Sequence, residues 1–142
     1  MMWFELQWSE GIVTYQNALF VLDAIESDLC DYGWKIASDN PDTAVRFVRG
    51  NKMRGVDGLF DEIAAACQFP WYFGENWPAL AECLGDLDWI NSSHFVLIIT
   101  RFPEVLADEQ VEVPAFGRAL GDAIMGIIEK EVIPQAMIVC FA

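Results

Sequence analysis

Two unbroken apolar runs, Phe95–Ile99 (FVLII) and Ala136–Phe141 (AMIVCF), constrain the fold of this chain more than any other feature. A strand with one wet face alternates apolar and polar residues. A run that is apolar at every position predicts a strand covered on both faces, the usual condition of a parallel sheet between helical layers. Residues 43–49 (TAVRFVR) alternate around Val45 and Phe47 and predict a further strand. Helical spacings fill the intervals. Leu59, Phe60, Ile63 and Cys67 mark the apolar side of a helix over 58–67, for which Asp57 is the expected cap. Phe116, Leu120, Ala123, Ile127 and Ile128 mark another, opened by Pro114 and stopped by Pro134. A short helix is expected around Glu104–Glu109. The order strand, helices, strand, helix, strand predicts an α/β fold with parallel pairing.

At 142 residues the chain is long enough for one domain with a sizeable core. Residues 3–8 (WFELQW) alternate loosely and predict a strand, with Ile12–Tyr15 pairing back as a hairpin. From Asn17 the period lengthens. Ala18, Leu22, Ile25 and Leu29 share a helical face opposite Asp23, Glu26 and Asp28, which predicts a helix ending near Tyr32-Gly33. A turn is expected over Ser38–Asp42. Residues 1–40 hold too little apolar mass for their own core and are expected to add elements to the edge of the main fold.

Between the 58–67 helix and the FVLII run lies an aromatic loop leading into a helix, FPWYFGENWPALAECLGDL from Phe69 to Leu87. Asn76 suits the N-cap, since its side-chain oxygen can accept from a free first-turn N–H. Pro78 falls in that first turn, where its missing N–H costs little. Leu80, Leu84 and Leu87 form an apolar stripe with Ala81 and Cys83 at its edges, while Glu82 and Asp86 fall on the outer face. Trp71 and Phe73 read equally as caps on the core or as contact residues. An exposed Tyr72 beside a carboxylate is the kind of pairing that interfaces use.

The formal net charge is −14, with 22 acidic residues against eight basic ones. Arg46, Arg49, Lys52 and Arg54 supply half of the bases within one short segment. Such a surface repels phosphate, which argues against nucleic-acid binding, and it attracts basic proteins. No apolar run reaches the roughly 18–20 residues of a membrane span. The start, Met1–Glu5, shows neither a basic nor an apolar signal region, which implies the cytoplasm. Cys30, Cys67, Cys83 and Cys140 are scattered, without metal-ligand spacing, and read as reduced thiols. With His94 the only histidine, no catalytic dyad or metal site can be assembled around a second one. Glu82 and Asp86, four apart on a helix, read as a solvated face before a catalytic pair. No enzyme, cofactor or metal is expected.

What remains is recognition. The segment Pro70–Leu84, with Tyr72, Gly74-Glu75-Asn76, Ala79-Leu80 and Cys83-Leu84, resembles the barstar family, intracellular inhibitors of the ribonuclease barnase. The pattern from Trp34 to Ile90 is similar to the longer bacterial barstar-related proteins. The resemblance implies a three-stranded parallel sheet packed with helices, here over residues 41–142; residues 1–40, with the hairpin and helix read from their own pattern, are then an N-terminal extension packed on it. It implies an inhibitor or immunity protein that binds a basic secreted ribonuclease, or a related toxin, one to one. Tyr72 would be the stacking aromatic, Gly74 and Asn76 would shape the loop, and Glu82 stands where the family usually has its acidic anchor, an Asp. Asp86, Trp71 and Phe73 complete the expected partner-binding set. Pro78 replaces a position that is often acidic, and Ala81 replaces an aromatic; both departures bear on which target is bound. A Cys67–Cys83 disulfide is compatible with the family, but the spacing alone does not support it. The competing reading is an interaction or immunity module on the same fold whose target is not a ribonuclease.

Overall fold

A computed structural model describes residues 13–15, 19–22, 26–39, 41–90, 92, 94–129 and 135–141. The FVLII run lies in β4 (His94–Thr100), and all five of its residues are buried. β4 runs parallel to β3 (Thr43–Arg49) on one side and to β5 (Gln135–Phe141) on the other. Phe95, Leu97 and Ile99 point into the main core, shared with α2 (Val56–Cys67), α3 (Trp77–Asp86) and α4 (Val113–Glu129). Val96 and Ile98 point to the opposite face, as strand alternation requires. There α1 (Glu26–Asp39) lies against β3 and β4. Its Gly33 meets the ring of Phe47, which is in register with Ile98. Helices on both faces are what an uninterrupted apolar strand needs.

Among the described residues the sheet has five strands in the order β1-β2-β5-β4-β3, where β1 is Val13–Tyr15 and β2 is Leu19–Leu22. It is therefore larger than the expected three-stranded sheet. β2 pairs parallel to β5, with Leu19 opposite Ile138 and Leu22 opposite Phe141, and β1 closes the edge antiparallel to β2. The helix expected from Asn17 to Tyr32 is thus corrected. Leu19–Leu22 (LFVL) also reads as a strand, and pairing with β5 overrides its helical spacing. The described helix is Glu26–Asp39, and it continues through Gly33, where a Cβ would meet the ring of Phe47. The turn that follows is confined to Pro41-Asp42. The strand expected over 3–8 lies outside the described residues.

Between β4 and α4 the chain forms 3-10 turns at Phe102–Glu104 and Gln110–Glu112 in place of the expected helix over 104–109. This segment is tied to the one after β3. Leu106 N–H donates to the Met53 carbonyl (2.7 Å) and Asp108 N–H to that of Arg54 (3.0 Å). The Arg54 guanidinium reaches Asp108 (2.9 Å) and Glu104 (3.4 Å). Glu109 accepts from Val56 N–H (3.0 Å), so it supplies the side chain at the start of α2 that was expected from Asp57; the N-cap residue is Gly55.

Gly50 sits at the centre of this junction. A Cβ there would overlap the carbonyl oxygens of Thr100 and Arg101, which are backbone atoms at the end of β4 and cannot rotate away. Gly50→Ala is expected to destabilise the fold by about 1–3 kcal/mol, the usual cost of overpacking. Urea unfolding would show this as a lower midpoint with an unchanged slope.

Candidate partner-binding surface

The loop between α2 and α3 is held by alternate aromatics. Gln68, in the left-handed region, ends α2, and Phe69 N–H closes back on the Ala64 carbonyl (2.9 Å). Phe69 then packs edge-on against Phe73 (5.0 Å) and Trp89 (6.0 Å), whose indole N–H donates to the Cys67 carbonyl (2.9 Å). Phe73 also meets Phe60 (5.8 Å). With Phe69 and Phe73 turned inward, the two residues between them and beyond Pro70 are forced out. Trp71 is 95% exposed and Tyr72 67% exposed, and their rings meet edge to face at 5.9 Å. Phe73 thus anchors the loop, while Trp71 and Tyr72 are its display.

The helix start fixes the other end of the loop. Asn76 Oδ1 accepts from Ala79 N–H (2.9 Å), the expected N-cap, and its Nδ2 donates to the Gly74 carbonyl (3.2 Å). A Cβ on Gly74 would stand 3.1 Å from that same Nδ2, which explains a glycine there. Glu75, between them, takes the left-handed conformation (φ 50). Trp77 is wedged against Phe60 (5.0 Å) and Phe116 (5.9 Å), and its indole N–H donates to Glu112 at the head of α4 (3.0 Å).

Along α3 the residues divide as expected. Leu80, Leu84 and Leu87 are buried, and Glu82 is exposed with no ion-pair partner among the described residues. Asp86 is half-buried. α3 lies closely along α4. A Cβ on Gly85 would stand 3.4 Å from the Ala123 carbonyl, and Gly126 is near the Gly85 Cα. The small residues leave an open groove of ≈ 420 Å³ between the helices, lined by Ala81, Glu82, Gly85, Asp86, Asp122 and Gly126. Three of those six residues are acids, so the groove favours a cationic side chain. Asp122 was not singled out from the sequence. Its only signal was a place beside Ala123 on the buried stripe of α4. The surface gathers Trp71, Tyr72, Gly74 and Asn76 in one loop, and Glu82 and Asp86 in one groove.

Cys67 and Cys83 are both buried free thiols, so no disulfide joins them. Burial pushes the Cys67 thiol up to about 12 against the opposing pull of Arg46. Burial raises Cys83 too, aided by the negative charges of Glu82 and Asp86. Neither is poised as a nucleophile. Among the described residues no three His, Cys, Asp or Glu side chains gather to hold a metal, and no helix is long and apolar enough to cross a membrane.

The family model of barstar, the barnase inhibitor, matches residues 43–135, from the start of β3 to the start of β5. Among curated proteins none matches the chain.

Proposed function

Because this chain belongs to the barstar family, we propose that it inhibits a small basic ribonuclease of the barnase kind by plugging its active site one to one. The observation that carries this reading is the pairing of an exposed aromatic loop with an exposed carboxylate, Glu82, which has no ion-pair partner among the described residues, on the helix that the loop enters. A ribonuclease active site must bind a phosphodiester and is therefore lined with cations. Glu82 stands in for the phosphate, accepting hydrogen bonds from arginine in a two-pronged geometry. Asp86 and Asp122 strengthen the local field. Tyr72, with Trp71 beside it, stacks where a base would lie. The capped helix and the inward Phe69 and Phe73 hold the loop in place, so little order has to be gained on binding.

Glu82 in place of the family's usual Asp, and an exposed Pro78 where an acid is frequent, alter the charge layout of the surface. Pro78 favours a second reading, in which the same surface holds a basic protein that is not a ribonuclease. Both readings place the interface at the Tyr72–Glu82 surface and keep residues 1–40 as an extension of a barstar-like domain.

Association kinetics test the electrostatic part of the proposal. With a net charge of −14 facing a basic partner, the association rate is expected to fall roughly tenfold between low and physiological salt, while dissociation changes far less. Stopped-flow mixing with barnase-like ribonucleases would measure it. A rate independent of salt would remove the charge-steered mechanism.

A further inference from the structure

Trp71 and Tyr72 are the two corner residues of one tight turn. Phe73 N–H donates to the Pro70 carbonyl (3.0 Å), and Phe73 and Phe69 hold the flanks of the turn against Phe60 and Trp89. The two corner rings stand 5.9 Å apart, with 82° between their planes. A slot shaped for one flat base admits one flat ring. With Tyr72 in that slot, an indole turned 82° to it stands outside. Trp71 is 95% exposed, so its π-face is nearly open, and its one ring contact among the described residues is Tyr72. Large aromatics are ordinarily buried, and this display leaves apolar surface in water with little gain to the fold.

The charge around the indole selects what it meets. From Gly55 to Thr100 the sequence has seven acidic residues and no Lys or Arg. Glu75, in the same loop, is exposed and has no ion-pair partner among the described residues. The stretch of chain that carries Trp71 therefore brings no cation of its own to the ring, and its field draws positive side chains from outside. A protein that holds an RNA strand places cations along the phosphates on either side of its cleft. Among side-chain rings, the electron-rich face of an indole attracts a cation most strongly.

Resting on the inhibitor reading above, we propose that Trp71 holds one Arg or Lys side chain at the rim of the ribonuclease cleft against its indole face, while Tyr72 fills the base slot. The position of that rim cation then decides which basic ribonucleases this chain binds well. The test is the dissociation rate, read on a biosensor, from each barnase-like ribonuclease that the unaltered chain binds. Fluorine atoms on an indole leave its shape nearly unchanged and drain negative charge from its face. Mono-, di- and trifluorotryptophan placed at position 71 are expected to speed dissociation stepwise, and Trp71→Leu to speed it roughly tenfold. The melting temperature should stay the same throughout, because so exposed a ring supports little of the fold. Dissociation that ignores the number of fluorines, or a Trp71→Leu variant that dissociates like the unaltered chain, would overturn this proposal and leave the inhibitor reading intact. An unaltered chain that binds no ribonuclease of the panel would overturn both.

Discussion

Glu82→Ala is expected to weaken ribonuclease binding by roughly two to three orders of magnitude while leaving the melting temperature nearly unchanged. Glu82 is exposed and has no ion-pair partner among the described residues, so its removal is expected to cost the fold little. In the complex the same carboxylate would be desolvated among cations that have no other counter-charge. Removing one member of such a pair costs about 2–5 kcal/mol, a range set by complexes that include barnase with barstar itself. Most of that cost is the charge left unpaired on the partner. The separation of the two readouts gives the test its force. Isothermal titration gives the affinity and thermal unfolding gives the stability. A loss of binding that tracked a loss of stability would show that Glu82 supports the fold, and the assignment of the anchor would fail. Glu82→Asp, one methylene shorter, separates reach from charge and should retain binding better than Ala.

The largest effect on stability is expected at Phe95. It lies in β4, between β3 and β5, at 1% exposure and in the cluster that joins α2, α3 and α4 to the sheet. Phe95→Ala removes its packing and leaves a cavity that the surrounding strands cannot close. The expected loss is about 3–5 kcal/mol, a large share of the roughly 5–15 kcal/mol that holds a domain of ordinary stability. Its melting temperature should fall by roughly 10 °C. Denaturant unfolding followed by Trp fluorescence would measure it, and a loss under 1 kcal/mol would mean that the face of β4 toward α2, α3 and α4 is not packed as described.

The parts of the fold that were legible are those whose signal is local. Five apolar residues in a row required cover on both faces, and β4 has helices on both. Asn76 and Pro78 announced the start of α3 because a cap and a first-turn proline act within one turn of the backbone. The elements that were missed take their form from partners far away in the chain. Leu19–Leu22 carried a helical spacing and became a strand through pairing with residues 138–141. The side chain that caps α2 comes from Glu109, 53 residues away, so Asp57 looked sufficient locally. The same holds for the candidate surface. Tyr72, Asn76 and Glu82 lie in one continuous stretch and could be picked out together. Asp122 lies in α4 and Glu112, which bonds Trp77, just before it, and only the packing of α4 along α3 brings them alongside. The inward turns of Phe73 and Phe69, which leave Trp71 outside, depend on Phe60 in α2 and on Trp89 in the turn beyond α3.

The central claim is that this surface blocks a ribonuclease active site, and RNA cleavage is its most direct measure. Barnase-like ribonucleases, titrated with the chain and assayed on a fluorogenic RNA, should lose activity linearly up to one equivalent, with Glu82→Ala shifting the curve to a large molar excess. Cleavage that continues undiminished at several equivalents of the unaltered chain, across the panel, would contradict the account and turn the search to basic partners of another kind.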